Sequence, residues 1–279
     1  MDGPPVVHTG LEQAVPGGVL QPESRRGHIP RVDVLGVGIS CTDIPGVVDC
    51  ISEWIADREG HYVCVTGMHG VMESRDDSEL REIHNRSGLT TPDGMPMVWA
   101  SRWAGIRQAR RVYGPDLMAA VMERGTAHGW RSYFLGGAPG VADQFAARIR
   151  SKNPDVQIVG CYSLPFRALS PAEDAALVDE LNRAQPDIIW VGLGTPKQER
   201  WMASHLHLVA APVLVGVGAA FDFGAGTVRQ APRWMQRSGF EWLFRLAMEP
   251  RRLWRRYVYN IPRFLVALAR TPPKQIDQA

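Results

Sequence analysis

The chain has 279 residues, 45% of them hydrophobic and 22% charged, with a formal net charge of +2. Such a chain can bury one large core or two modest ones, and its composition is globular rather than disordered or fibrous. A net charge this small excludes a strong overall pull toward polyanions, so any such pull must come from uneven charge distribution.

Residues 1–30 mix Pro, Gly and charge without an apolar stretch, and read as a disordered leader rather than a signal peptide. From Arg31 onward, β-rich apolar runs alternate with amphipathic segments. VDVLGVGIS reads as a strand. Thr42 or Asp43 caps the helix after it, which carries Val47, Val48, Ile51, Trp54 and Ile55 and stops at Gly60. HYVCVTG is a second strand, followed by helical residues around Met72 and Leu80. The short strand GLTT then leads into Pro92-Asp93-Gly94. PDLMAAVMERGTAHG is a helix closed by glycine, WRSYFLGG a strand, Ala142 to Ile149 a helix and VQIVGCY a strand. PAEDAALVDELNRA is a helix entered through Ser170 and Pro171. DIIWVGLG, KQERWMASHL and PVLVGVGAAF follow as strand, helix and last strand. The longest apolar stretch, VAAPVLVGVGAAFDF, is interrupted by Pro212 and glycines and is too short to span a membrane.

Alternation of this kind implies right-handed crossovers and one Rossmann-like α/β domain over residues 31–226, with a mainly parallel sheet buried on both faces. After Phe223 no strand signal remains. Residues 227–270 read as a helical appendage whose arginines, Arg251 and Arg252 among them, face only Glu241 and Glu249 as acids. Trp, Phe and Tyr are interleaved with them, a mixture suited to an anionic membrane surface; nucleic acid and plain helix docking are the competing readings. Residues 271–279 read as a flexible end. Cys41, Cys50, Cys64 and Cys161 form no CxxC pair and meet no His at finger spacing. They read as reduced, mostly buried thiols of a cytosolic protein.

Ligands of open α/β sheets collect beyond the carboxyl ends of strands. Several predicted strands end in small or polar residues, at Thr66-Gly67, Pro92-Asp93-Gly94, Gly136-Gly137, Thr195-Pro196-Lys197-Gln198-Glu199 and Ala219-Ala220, and these ends should meet on one rim. GLGTPKQE places Lys197 and Gln198 at a helix start beginning with Pro196, where free N–H groups can hold an anion. The same residues also suit plain helix capping, with Thr195 as cap. Arg110 and Arg111 precede a helix near Gly114, either as a diphosphate clamp or as surface partners of Asp116. His69 could face the same rim. Pro92-Asp93-Gly94 is a turn tripeptide, yet it could equally present an acid. No D-x-D occurs, which argues against a carboxylate-held divalent metal. GxxxxGK[ST] and GxGxxG are absent too, which disfavours a Walker loop or a nicotinamide-dependent enzyme.

TPDGMPMVWA, RRVYGPDLM, GLGTPKQERW and GVGAAFDFGAGTVRQAPRWMQRSGFEWLFRLAMEPRRLWRRY together resemble, in order, the WecG/TagA/CpsF family of bacterial glycosyltransferases. The resemblance spans about residues 32 to 260. It implies inverting transfer, without a required metal or cofactor, from a UDP-sugar to a polyprenyl-diphosphate-linked saccharide in cell-surface polysaccharide synthesis. It also implies a cytoplasmic protein, peripheral on the inner face of the plasma membrane, with no nucleic-acid partner and with homo-oligomer formation left open. The family's essential acid falls on Asp93, its diphosphate-side arginine on Arg111, its site glutamine on Gln198 and its strand-end threonine on Thr66. Gly194, Thr195 and Lys197 belong to the implied substrate loop, Asp222 looks like a nucleoside contact, and Arg251 and Arg252 fit the tail that completes the site. The family commonly reads T-x-N where this chain reads Thr66-Gly67-Met68-His69. His69 is therefore the expected substitute, and the donor sugar is left undecided. A non-catalytic nucleotide-sugar or nucleic-acid binding module is the alternative from another class.

Overall fold

A computed structural model describes residues 29–276, apart from residue 166 and the side chains of Arg252 and Arg256; the leader through residue 28 lies outside the described residues. Six parallel strands make the central sheet: β3 (His61–Thr66), β4 (Leu89–Pro92), β5 (Arg131–Gly136), β6 (Gln157–Tyr162), β7 (Ile188–Gly192) and β8 (Val213–Gly216), in the order β4-β3-β8-β7-β5-β6. Their alternate side chains serve two different cores. Val63, Phe134, Trp190 and Val215 pack under α1 (Ile44–Asp57), α5 (Gly114–His128) and α6 (Val141–Lys152). Tyr62, Tyr133, Ile189 and Leu214 pack under α7 (Pro171–Ala184) and α8 (Lys197–His205). Burial on both faces is why these strands are apolar throughout.

Local chemistry sets the helix ends. Asp43 caps α1 by accepting from the Gly46 N–H at 3.0 Å. That helix ends at Asp57 rather than Gly60, because Arg58 takes the left-handed conformation (φ 55°) and its N–H turns back onto Ile55 and Trp54 carbonyls. Ser170 and Glu173 form a reciprocal capping box at α7. At α8 the helix begins at Lys197, as the segment KQERWMASHL reads, with Pro196 at its cap rather than in its first turn. The Thr195 hydroxyl does not cap it and donates instead to the Glu199 carboxylate at 2.9 Å.

VDVLGVGIS is a hairpin of β1 (Arg31–Val34) and β2 (Val37–Ser40), not one strand. Leu35 and Gly36 both have positive φ, the backbone that closes a two-residue hairpin turn, and only Gly36 signals it by residue type. The segment after Phe223 does contain a strand: β9 (Lys274–Ile276), in the expected flexible end, pairs antiparallel with β1. The order of this small sheet is β2-β1-β9.

Between these strands run α9 (Ala220–Ala225), α10 (Arg233–Ser238), α11 (Glu241–Met248), α12 (Pro250–Trp254), a π-helical stretch over Arg255–Tyr259, and α13 (Asn260–Arg270). Phe264 and Leu268 of α13 join a third core. They pack there with the β1–β2 hairpin, α2 (Met68–Asp76) and α4 (Met95–Trp103). The basic tail thus returns to the body of the molecule. No helix among the described residues is long and apolar enough to cross a membrane. All four cysteines are free thiols, Cys41 and Cys64 buried and the other two partly so.

Candidate active site

The carboxyl ends of the central strands open on one cavity of about 1390 Å³. Gly67, Asp93, Gly137, Gly194, Thr195 and Gly218 all line it, so the expected rim is present.

Asp93 is placed by two backbone constraints. Its N–H donates to the Thr66 carbonyl at 2.9 Å, sealing the end of β4 against the end of β3. Gly94 then turns the chain into α4 at φ 90°, a conformation suited to glycine. A Cβ on Gly67 would sit 2.9 Å from the Asp93 carbonyl oxygen, so this close approach depends on glycine there. The turn and acid readings of Asp93 therefore coexist: the turn aims a half-exposed carboxylate into the cavity.

Arg111, 14% exposed, lies between two acids. Its Nη2 is paired with the Glu241 carboxylate and lies 3.6 Å from Asp93 Oδ1, while Nη1 donates to Gln236 Oε1 at 3.3 Å. Its guanidinium carbon is 4.2 Å from the Tyr113 ring centroid. Burial disfavours the charge, but Asp93 and Glu241 more than offset it, so Arg111 is held protonated above its usual range. Burial pushes the Glu241 carboxyl up, against the pull of Arg111. Asp116 pairs with Arg233 of the tail, not with Arg110 or Arg111.

Gln198 is buried and acts between loops. Its Oε1 accepts from Gly194 N–H at 3.1 Å and Gly218 N–H at 3.0 Å, joining the turns after β7 and β8. Its Nε2 donates to Glu199 Oε1 at 3.0 Å, which also accepts from Thr195. Glu199 is 0% exposed, and its Oε2 has no hydrogen-bond partner among the described residues.

The Thr66 hydroxyl turns away from the cavity, to Nε2 of His84 on α3 (Ser78–Arg86) at 3.0 Å. His84 Nδ1 lies 2.9 Å from the Leu80 carbonyl, which makes that nitrogen the donor and Nε2 the acceptor of the Thr66 proton. Burial lowers the His84 pKa, consistent with this neutral tautomer.

His69 lines the cavity with Met68, its Nδ1 3.6 Å from Glu73. Lys197 and Asp222 also face the cavity, while Arg251 is exposed and is not among its lining residues. The side chain of Arg252 lies outside the described residues. Among the described residues no three His, Cys, Asp or Glu side chains gather where they could hold a metal. Glu241 and Arg245 were not expected at the site, whereas Gly67 and Glu199 were named only among the strand ends of the rim. Glu241 had a legible signal, one of only two acids inside a basic run, whereas Glu199 read as ordinary helix-start chemistry.

Residues 32–277 match the family described as "Glycosyl transferase WecG/TagA/CpsF family". Relatives include the N-acetylglucosaminyldiphosphoundecaprenol N-acetyl-beta-D-mannosaminyltransferase of Bacillus subtilis (strain 168), 31% identical over 69% of this chain and 72% of its own. The protein of the same name from Bacillus spizizenii is 26% identical over 77% of this chain and 81% of its own. That of Staphylococcus aureus (strain MW2) is 24% identical over 89% of this chain and 96% of its own. The match takes in the central sheet, the basic helices and the returning β9 together, and the chain belongs to the WecG/TagA/CpsF family of glycosyltransferases.

Proposed function

We propose that this glycosyltransferase moves an N-acetylmannosamine-type sugar from a UDP-sugar to a polyprenyl-diphosphate-linked N-acetylglucosamine, with inversion and without a required metal. The acceptor and sugar classes follow the names of the relatives. The observation that carries the reading is the placement of the Asp93 carboxylate at a strand's carboxyl end, 3.6 Å from Arg111, on a cavity large enough for both substrates.

In a single displacement the acceptor hydroxyl oxygen bonds to the donor's anomeric carbon, its proton passes to Asp93, and the bond to the diphosphate oxygen breaks. UDP departs with that electron pair. Arg111, Arg245, Lys197 and the helix starts at Gly114 and Lys197 offset its charge. Gln198 contributes by holding the two glycine turns that shape the donor side. His69 takes the place beside the donor sugar that an asparagine commonly fills in the family.

The test is transfer from a panel of UDP-sugars to a short-chain prenyl-diphosphate N-acetylglucosamine. Wild-type protein should transfer with EDTA present, and Asp93→Asn should lower kcat by roughly 10²–10⁴-fold, the usual worth of a general base. Wild-type-like turnover by a folded Asp93→Asn protein sinks the assignment.

A further inference from the structure

The cavity is larger than the 300–1,000 Å³ or so of a typical small-molecule site, and its two ends differ in chemistry. The polar end has Asp93, Arg111 and the glycine turns. The other end is walled by α4 and α13. α4 leaves the Asp93 turn directly through Gly94, and along it Trp99 and Trp103, one turn apart, both face the cavity. Ile261, Leu265 and Leu268 of α13 line the same cavity. Trp103 is 59% and Leu265 60% exposed, so both remain open to an occupant. Beneath this surface Met97 and Ala100 of α4 and Phe264 of α13 belong to the same third core.

We infer that this apolar arm is a subsite for the first isoprene units of the acceptor's lipid. The inference rests on the proposed polyprenyl-diphosphate acceptor and adds where its chain lies. A lipid tethered through a diphosphate at the arginine end must leave the cavity by some wall, and this one is continuous with Asp93. Burying prenyl carbons against Trp and Leu faces supplies chain-length selectivity, which a headgroup site alone lacks. Val266 lies on the same helix, 51% exposed, but does not line the cavity. It separates a groove from a general bilayer contact.

The test uses the full chain with N-acetylglucosamine diphosphates carrying a methyl, ten-carbon or twenty-carbon prenyl group, in detergent-free buffer below their aggregation limits. Wild-type kcat/KM should rise about tenfold or more from methyl to prenyl acceptors. Leu265→Asp and Trp103→Ser should each bring that ratio close to one, and Val266→Asp should leave it as in wild type. Equal kcat/KM for all three acceptors overturns the subsite. So does a loss of the ratio in Val266→Asp equal to that in Leu265→Asp, which would mark a bilayer face. Turnover of no acceptor refutes the proposed function instead. The subsite is then read by binding of farnesyl diphosphate against inorganic diphosphate: tighter farnesyl binding that Leu265→Asp abolishes supports it, and equal binding overturns it.

Discussion

Glu199 and His84 show what single side chains do beneath the cavity floor. Glu199 accepts from Thr195 and Gln198 on one oxygen, which leaves the Gln198 amide oxygen turned toward Gly194 and Gly218. In Glu199→Leu no acceptor remains for the Thr195 hydroxyl and the Gln198 amide, so the two glycine turns lose their common brace. We expect kcat/KM to fall about tenfold and stability to fall by roughly 1–3 kcal/mol, read by steady-state kinetics and urea unfolding. Unchanged kinetics would remove Glu199 from any positioning role. His84 is held neutral by burial, with a folded pKa below its usual value of 6.5. Between the folded and unfolded values the unfolded chain binds the extra proton, so stability is full above about pH 6.5 and falls as the pH drops below it. The steepest slope from this one group is about 1.4 kcal/mol per pH unit. Urea midpoints at pH 7.5 and 5.5 should differ more in wild type than in His84→Gln.

At the scale of elements, the stretch from α12 through the π-helical residues divides into two faces. Leu253, Tyr257 and Asn260 are buried against the body, while Arg251, Trp254, Arg255, Val258 and Tyr259 point outward. Cations and aromatics at helical spacing on one free face are the pattern of a segment lying on an anionic bilayer. Deleting the tail from Pro250 would test this poorly, because it also removes Phe264, Leu268 and the β9 strand from the third core and small sheet. The sharper experiment is Val258→Asp with Trp254→Ser. The pair should lower sedimentation with phosphatidylglycerol vesicles several-fold at an unchanged urea midpoint, since both side chains are exposed. Undiminished sedimentation would refute the outward face as the membrane contact.

At the scale of the whole molecule, one parallel sheet gathers its glycine-rich strand ends on a single edge, and the basic helices cross that edge before returning through α13 and β9. Glu241 on α11 pairs with Arg111 of the α/β body, so the tail is electrostatically part of the site. A ligand that fills this edge stabilises the fold by mass action. UDP at ~100 times its Kd should add about 2.7 kcal/mol and raise Tm, and NAD at the same concentration should leave Tm unchanged. A shift with NAD alone would contradict the donor assignment.

The order and type of the central strands and helices were legible in the chain because a sheet buried on both faces writes itself as apolar runs between amphipathic segments. The strand ends were legible as well, since tight turns demand Gly, Pro and Asp. Three things depended on tertiary structure. The hairpin at Leu35-Gly36 was hidden because half of its turn is a leucine. The β9 strand exists through pairing with β1, a partner at the opposite end of the chain, and its three exposed residues carry no apolar pattern. The environments of Asp93, Gln198 and Arg111 arise from contacts between residues far apart in sequence. Sequence alone determined which residues were candidates; only packing decided that Gln198 braces two turns, that Thr66 donates to His84, and that Arg111 stands between Asp93 and Glu241.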